Sequence, residues 1–236
     1  MTRNGASMRR TELLAALPEV SAQPGSADTA QHALRCYFSF RSPYSWLAHR
    51  KLGRCLPLLA GAMEWLPFLE PAEGAGPAVR LPDALACAPV TLALASCGPG
   101  VRPVDARTTA ERGASRWEVP HLVWLAVPEH RRFAFTDAVY RARWVRGEDV
   151  CDRGVLAALV TGLALPADLV DAVDDPGIRD CARGLRQRTD ADGVFGVPFF
   201  VAGQDAYWGM DRMAAFVAHS GYALPESRPG CVTPEF

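Results

Sequence analysis

The stretch Leu34-Arg-Cys-Tyr-Phe-Ser-Phe-Arg-Ser-Pro43 decides the fold of this chain. Its first seven residues have the length and the aromatic content of a buried β-strand. A serine followed by a proline is a strong helix start, because the hydroxyl accepts hydrogen bonds from free N–H groups and proline suits the first helical position. The sequence therefore predicts a strand over 34–40 and a helix that begins at Ser42-Pro43.

The residues that follow continue this pattern. From Tyr44 to Leu59 apolar side chains recur at helical spacing, and Gly61 closes the segment. Met63–Phe68 then has the character of a second strand. A strand, a helix and a strand within about 35 residues have the size of a right-handed βαβ unit.

The remaining elements are predicted to be mostly helical, with strands returning only near the end. Residues 71–83 and 98–103 are rich in glycine and proline and predict loops. Tyr140 and Trp144 lie four residues apart, which predicts helix-packing core. Helical patterns cover 83–96, 121–127, 136–146, 153–163, 167–173 and 178–188. Strand character returns over 193–201, a hairpin leads to a short strand over 206–208, and a last helix is predicted over 209–219.

Composition and charge exclude several classes of protein. The formal net charge is −1 and hydrophobic residues make up 49%, so no global charge attracts nucleic acid or anionic lipid. The seven cysteines contain no C-x-x-C pair and have no neighbouring histidines in a metal-ligand pattern, so we expect no metal. No run approaches the ~18 apolar residues of a membrane span. We expect a cytoplasmic protein with reduced thiols.

Four motifs, in order, carry a resemblance to a known family. They are Phe38-Ser-Phe-Arg-Ser-Pro-Tyr-Ser-Trp46, the stretch Phe135–Trp144 with Gly147-Glu-Asp149, Gly193-Val-Phe-Gly-Val-Pro-Phe-Phe200, and Trp208-Gly-Met-Asp-Arg-Met213. Together they resemble the DsbA-like thioredoxin superfamily, in the branch of 2-hydroxychromene-2-carboxylate isomerases and kappa-class glutathione transferases.

The resemblance implies an α/β protein with a thioredoxin-like fold and an inserted all-helical domain. The thioredoxin-like domain is expected over 33–71 and 189–222, and the helical insert over 72–188. Residues 1–32 are expected to be a flexible extension and 223–236 an irregular tail. Relatives are often dimers, so a homodimer is one implied assembly.

The first helix start is where redox relatives hold C-x-x-C, and this chain has Ser42-Pro43-Tyr44-Ser45 there. Hydroxyl groups cannot form or exchange a disulfide, so disulfide oxidoreductase chemistry at this position is excluded. The resemblance implies that Ser42 hydrogen-bonds the thiol of a bound cofactor and favours its thiolate, which the helix N-terminus also stabilises. The alternative is that Ser42 is a plain helix cap, and the two roles are compatible.

Further site residues follow from the same resemblance. Pro198 resembles the cis-proline of thioredoxin-like folds, which would leave the backbone of Val197 to pair with a peptide-like ligand; the alternative is a proline at a strand entrance. Asp211, with help from Met210, is implied to bind the amino group of a γ-glutamyl arm; the alternative is a helix cap. Tyr44 and Trp208 are expected to line an apolar substrate cleft.

One departure concerns the cofactor. Relatives carry an asparagine and a lysine after the second strand, for the carboxylate end of glutathione, whereas Lys51 is the only lysine of this chain. The cofactor is therefore expected to be glutathione or another low-molecular-weight thiol. The predicted function is a thiol-dependent isomerase acting on a small conjugated aromatic or polyketide-like substrate. A kappa-like thiol transferase, a non-catalytic binding protein and a thiol-independent proton shuttle remain alternatives.

Overall fold

The computed structural model describes residues 34–69 and 114–222. The predicted N-terminal extension, the 83–96 helix, both glycine-rich loops and the C-terminal tail lie outside these residues. The described elements run in the order β1 (Leu34–Phe38), α1 (Pro43–Cys55), α2 (Pro57–Ala62), β2 (Glu64–Pro67), α3 (Ala114–Ala126), α4 (Glu129–Trp144), α5 (Arg153–Gly162), a 3₁₀ helix (Ala167–Asp174), α6 (Pro176–Ala191), β3 (Phe199–Ala202), β4 (Asp205–Trp208) and α7 (Met213–His219).

The four described strands form one mixed sheet in the order β2-β1-β3-β4. β1 runs parallel to β2, with Cys36 opposite Trp65, and antiparallel to β3, with Cys36 opposite Phe200. β3 and β4 form the antiparallel hairpin, in which Phe200 faces Tyr207. The sheet thus joins the two distant ends of the described chain, while every described element from 114 to 191 is helical. This is the α/β architecture that the sequence predicted.

The two faces of the sheet pack against different helices. Along β3 the side chains alternate, because successive residues of a strand point to opposite faces: Phe199 and Val201 join the core shared with α3 to α6, and Phe200 joins the core shared with α1, α2 and α7. Trp46 faces the helical segment and stacks on Trp144 at 6.1 Å between ring centroids. Helix α1 therefore lies between the two cores.

Some element boundaries differ from the prediction. The helix predicted over 44–59 is two helices that meet at Leu56, because Pro57 has no N–H to donate and disfavours helical geometry in the residue before it. β3 begins at Phe199 and not at Gly193, since its partner β1 pairs only with 199–202. The last helix begins at Met213 and not at Gly209. Tyr140 and Trp144 are buried helix-packing residues, as predicted.

Candidate functional site

Ser42 caps the N-terminus of α1. Its Oγ accepts a hydrogen bond from the N–H of Ser45 at 3.2 Å, and Pro43 occupies the first helical turn. The first turn carries no acidic side chain, so no carboxylate of the helix offsets the positive end of its dipole. The capping role is therefore present, and the helix end still favours an anion.

The segment Val197-Pro198 lies directly beside Ser42. The hydroxyl of Ser42 donates to the carbonyl oxygen of Val197 at 3.3 Å, across 155 residues of sequence. The Val197–Pro198 peptide bond is cis. The carbonyl of Pro198 accepts from the N–H of Gly209 at 2.9 Å. Two hydrogen bonds thus bring together the start of α1, the entrance to β3 and the turn after β4.

The two serines of the S-P-Y-S motif have different environments. Ser45 is completely buried, and its Oγ accepts from the N–H of Ser39 at 3.3 Å. Ser42 is only half-buried. A hydroxyl has one proton, and that of Ser42 is directed at Val197. A ligand that accepts this proton must therefore replace the Val197 carbonyl as its acceptor.

Met210 and Asp211 lie in the turn after β4. Met210 is half-buried, packs against the core shared by α1 and α7, and accepts a backbone hydrogen bond from Met213 at 3.3 Å. The side chain of Asp211 is 78% exposed, and its carboxylate lies 3.9 Å from the guanidinium of Arg212. The cap position of α7 is Arg212, without a side-chain hydrogen bond. The alternative role of Asp211 as a helix cap is therefore wrong, and its carboxylate faces solvent.

The aromatic side chains near this turn include one that the sequence analysis did not single out. Trp208 is 39% exposed, and its indole lies on Gly196, where a Cβ would be 2.8 Å from Nε1. Phe195 is 53% exposed, with its ring 4.8 Å from that of Trp208. The sequence predicted a strand over 193–201, whereas β3 begins at Phe199, so Phe195 lies in the loop before it. Tyr44 is half-buried in the first turn of α1.

The four thiols that the structure describes lie on β1, at the end of α1, just before α5 and on α6. Cys36 is in the middle of β1, and burial raises the pKa of its thiol well above the usual value. Over residues 34–69 and 114–222, no group of three or more histidine, cysteine, aspartate or glutamate side chains could hold a metal ion. In the same ranges no helix is long and apolar enough to cross a bilayer.

A cavity of about 380 Å³ lies at the opposite end of β1 and β3, lined by Leu34, Ala202 and His219 among others.

Part of the chain matches a known family model, and one curated protein is a distant relative. Residues 106–220 match the family model of the DSBA-like thioredoxin domain. A 2-hydroxychromene-2-carboxylate isomerase from Sphingobium xenophagum is 27% identical over 196 residues, which cover 75% of this chain and 92% of that protein.

Solved structures share the fold at low sequence identity. A putative protein disulfide isomerase from Nitrosomonas europaea has a TM-score of 0.59 at 16% identity, covering 80% of this chain and 95% of that one. A 2-hydroxychromene-2-carboxylate isomerase has a TM-score of 0.54 at 18% identity, with coverages of 80% and 94%. The cytosolic disulfide reductase DsbM from Pseudomonas aeruginosa, solved with GSH, has a TM-score of 0.52 at 15% identity, with coverages of 80% and 95%. These likenesses establish the thioredoxin-like fold.

Proposed function

We propose, from the premise that residues 106–220 match the DSBA-like thioredoxin domain, that this chain is a thiol-dependent isomerase of small conjugated substrates. The observation that carries the proposal is the position of the Ser42 hydroxyl. It caps α1 in place of a cysteine and lies 3.3 Å from the backbone next to Pro198. The distant relative from Sphingobium xenophagum supports isomerisation in preference to other reactions.

The site offers a borrowed thiolate two sources of stabilisation. The Ser42 hydroxyl donates its hydrogen bond to the sulfur anion in place of the Val197 carbonyl. The N-terminus of α1 supplies a positive electrostatic potential. Both interactions favour the charged form, so they lower the pKa of the bound thiol and release its proton to solvent. Ser42 itself stays protonated and only donates a hydrogen bond.

The thiolate then acts as a nucleophile that is regenerated. Its sulfur adds to one carbon of a double bond conjugated to a carbonyl, and the displaced electron pair moves to the carbonyl oxygen. The former double bond, now single, rotates. The electron pair returns, the C–S bond breaks, and the alkene re-forms with the other geometry. Holding the two reactants together contributes several kcal/mol of the required barrier lowering.

Other residues of the site position the cofactor and the substrate. The exposed carboxylate of Asp211 suits an ammonium group, such as that of a γ-glutamyl arm. The backbone of Val197 and the turn at Met210 suit an extended peptide-like chain. Trp208 and Phe195 present exposed rings next to Gly196, which suits a flat aromatic substrate, and Tyr44 follows Ser42 in the first turn of α1.

The test measures the isomerisation of 2-hydroxychromene-2-carboxylate with and without glutathione, with analysis of the product. We expect turnover only with the thiol, and an isomer with no sulfur attached. Ser42→Ala is expected to lower kcat/KM by about 10²-fold, because it removes one preorganised donor to a developing anion.

Ser220→Ala is the matched control. The Ser220 hydroxyl also donates to a carbonyl, that of Val217 at 2.8 Å, and accepts from a backbone N–H, but it lines the cavity at the opposite end of the sheet. Equal losses in both variants would contradict the role of Ser42. A thiol conjugate as the product would identify a transferase, and isomerisation without any thiol would identify a thiol-independent proton shuttle. If calorimetry shows that no thiol binds, the result would favour a non-catalytic protein that binds some other ligand.

A further inference from the structure

We propose that His121 and Tyr140, two buried side chains of the helical segment, are positioning residues that fix the turn carrying Ser42. The observation concerns residues 39–41, which connect β1 to the cap of α1. Ser39 and Phe40 are almost completely buried, yet none of the four described strands pairs with them. Buried backbone groups must find hydrogen-bond partners, and side chains supply them here.

His121, on α3, satisfies the N–H of Phe40. Its Nε2 lies 3.1 Å from that nitrogen, and its Nδ1 lies 2.6 Å from the carbonyl oxygen of Trp117. A peptide N–H only donates and a carbonyl only accepts, so Nε2 is unprotonated and Nδ1 carries the proton. The ring is therefore held neutral and in one tautomer. It also stacks on the ring of Phe40 at 5.0 Å.

Tyr140, on α4, satisfies the carbonyl of Ser39. Its hydroxyl donates to that oxygen at 3.1 Å, and the same oxygen accepts from the N–H of Ser42 at 3.1 Å. The carbonyl of Ser39 thus links the side chain of Tyr140 to the backbone of Ser42, the candidate catalytic serine. Tyr140 is completely buried.

The polar atoms of these two side chains are not required for packing. The ring of Phe40 stacks on His121 and lies edge-to-face against Tyr140, and Phe38 lies tilted against His121, so phenylalanine would fill a similar volume at either position. Burying a polar group is costly unless it is hydrogen-bonded. The bonds that His121 and Tyr140 make specify the conformation of the turn, and through it the direction of the Ser42 hydroxyl towards Val197.

The catalytic consequence rests on the proposed function, whereas the structural consequence does not. A displacement of about 1 Å in a reacting group can cost about 10²-fold in rate. We therefore expect loss of either bond to lower turnover more than it lowers the fraction of folded protein. The hydrogen bonds themselves are observable through amide hydrogen exchange, whether or not the protein is an isomerase.

The experiment compares four variants of the full chain. Tyr140→Phe removes one oxygen, and His121→Phe removes both ring nitrogens but keeps an aromatic ring. His121→Gln restores an acceptor for Phe40. Tyr207→Phe is the matched control, since the Tyr207 hydroxyl is also hydrogen-bonded, to His219 at 2.6 Å, but lies on α7's side of the sheet. Exchange at the amides of Phe40 and Ser42 is followed by NMR, urea unfolding gives the global stability, and kcat/KM is measured with glutathione and 2-hydroxychromene-2-carboxylate.

Tyr140→Phe is expected to speed exchange at Ser42, and His121→Phe at Phe40, each by about tenfold beyond what the loss of global stability explains. Both are expected to lower kcat/KM by about ten- to a hundredfold, with partial recovery in His121→Gln. Unchanged exchange in Tyr140→Phe would overturn the proposal, even if His121→Phe fails to fold. Faster exchange in the two variants, together with a wild type that binds no thiol and turns over no substrate, would keep the positioning role and reject the proposed isomerase.

Discussion

Acidification is expected to destabilise this protein, because two histidines are buried in the neutral form. Burial lowers the pKa of His121 to about 4, although its hydrogen bond to the Trp117 carbonyl acts in the opposite direction. Burial also lowers the pKa of His49 to about 4, partly offset by the nearby carboxylate of Asp137. His49 packs against Phe133, and its Nδ1 has no hydrogen-bond partner in the described part of the chain.

The direction and the size of the change in unfolding free energy with pH follow from proton linkage. The unfolded chain takes up a proton on each histidine near pH 6.5, whereas the folded protein resists protonation until about pH 4. The stability from these groups is therefore almost complete above about pH 6.5, falls as the pH drops to about 4, and levels off below that. Each histidine costs about 2 kcal/mol at pH 5 and about 3 kcal/mol at pH 4. The pair thus removes about 4 kcal/mol at pH 5, a large part of the 5–15 kcal/mol that typically stabilises a domain.

The assay is urea unfolding at about pH 7.5 and about pH 5. His49→Gln and His121→Gln remove one titrating group each, so the difference in unfolding free energy between the two pH values is expected to shrink by about 2 kcal/mol per variant. The change with pH is compared, so any constant cost of the substitution cancels. His130→Gln, at an exposed position at the start of α4, is the control. The reasoning is refuted if both variants keep the full pH difference of the wild type.

Two further predictions concern the site and its supports. Asp211→Asn is expected to weaken the binding of glutathione by about tenfold, because the exposed carboxylate that attracts the ammonium group is lost. The binding of 2-mercaptoethanol, which has no ammonium group, is expected to stay unchanged. Calorimetry with both thiols measures the two affinities, and equal weakening of both would contradict the role of Asp211. Gly196→Ala is expected to lower the free energy of unfolding by about 1–3 kcal/mol, because its Cβ would lie 2.8 Å from Nε1 of Trp208. Gly184→Ala, with nothing within 4 Å on the exposed face of α6, is expected to raise it by about 0.5–1 kcal/mol; urea unfolding of the two variants would contradict this argument if their order were reversed.

Much of the architecture was predictable because it depends on neighbouring residues. The aromatic run 34–40, the Ser42-Pro43 helix start and the returning strand near 199 are local patterns, and each corresponds to an element of the structure. The boundaries were less predictable. β3 begins at Phe199 because β1 pairs only with residues 199–202, and the local sequence does not show which strand is the partner. α1 stops before Pro57 because the proline breaks a helical pattern that the apolar spacing alone would continue.

The candidate site also has one part that the local sequence predicts and another that depends on the tertiary structure. The sequence determined that Ser42 caps the first long helix, because a side-chain oxygen that accepts from an N–H three residues later requires only local geometry. The tertiary structure alone decided that this hydroxyl points at Val197, 155 residues away, and that His121 and Tyr140 hold the turn before it. Such contacts join segments with no periodic relation to each other, so they exist only once the sheet and the helical segment have packed together.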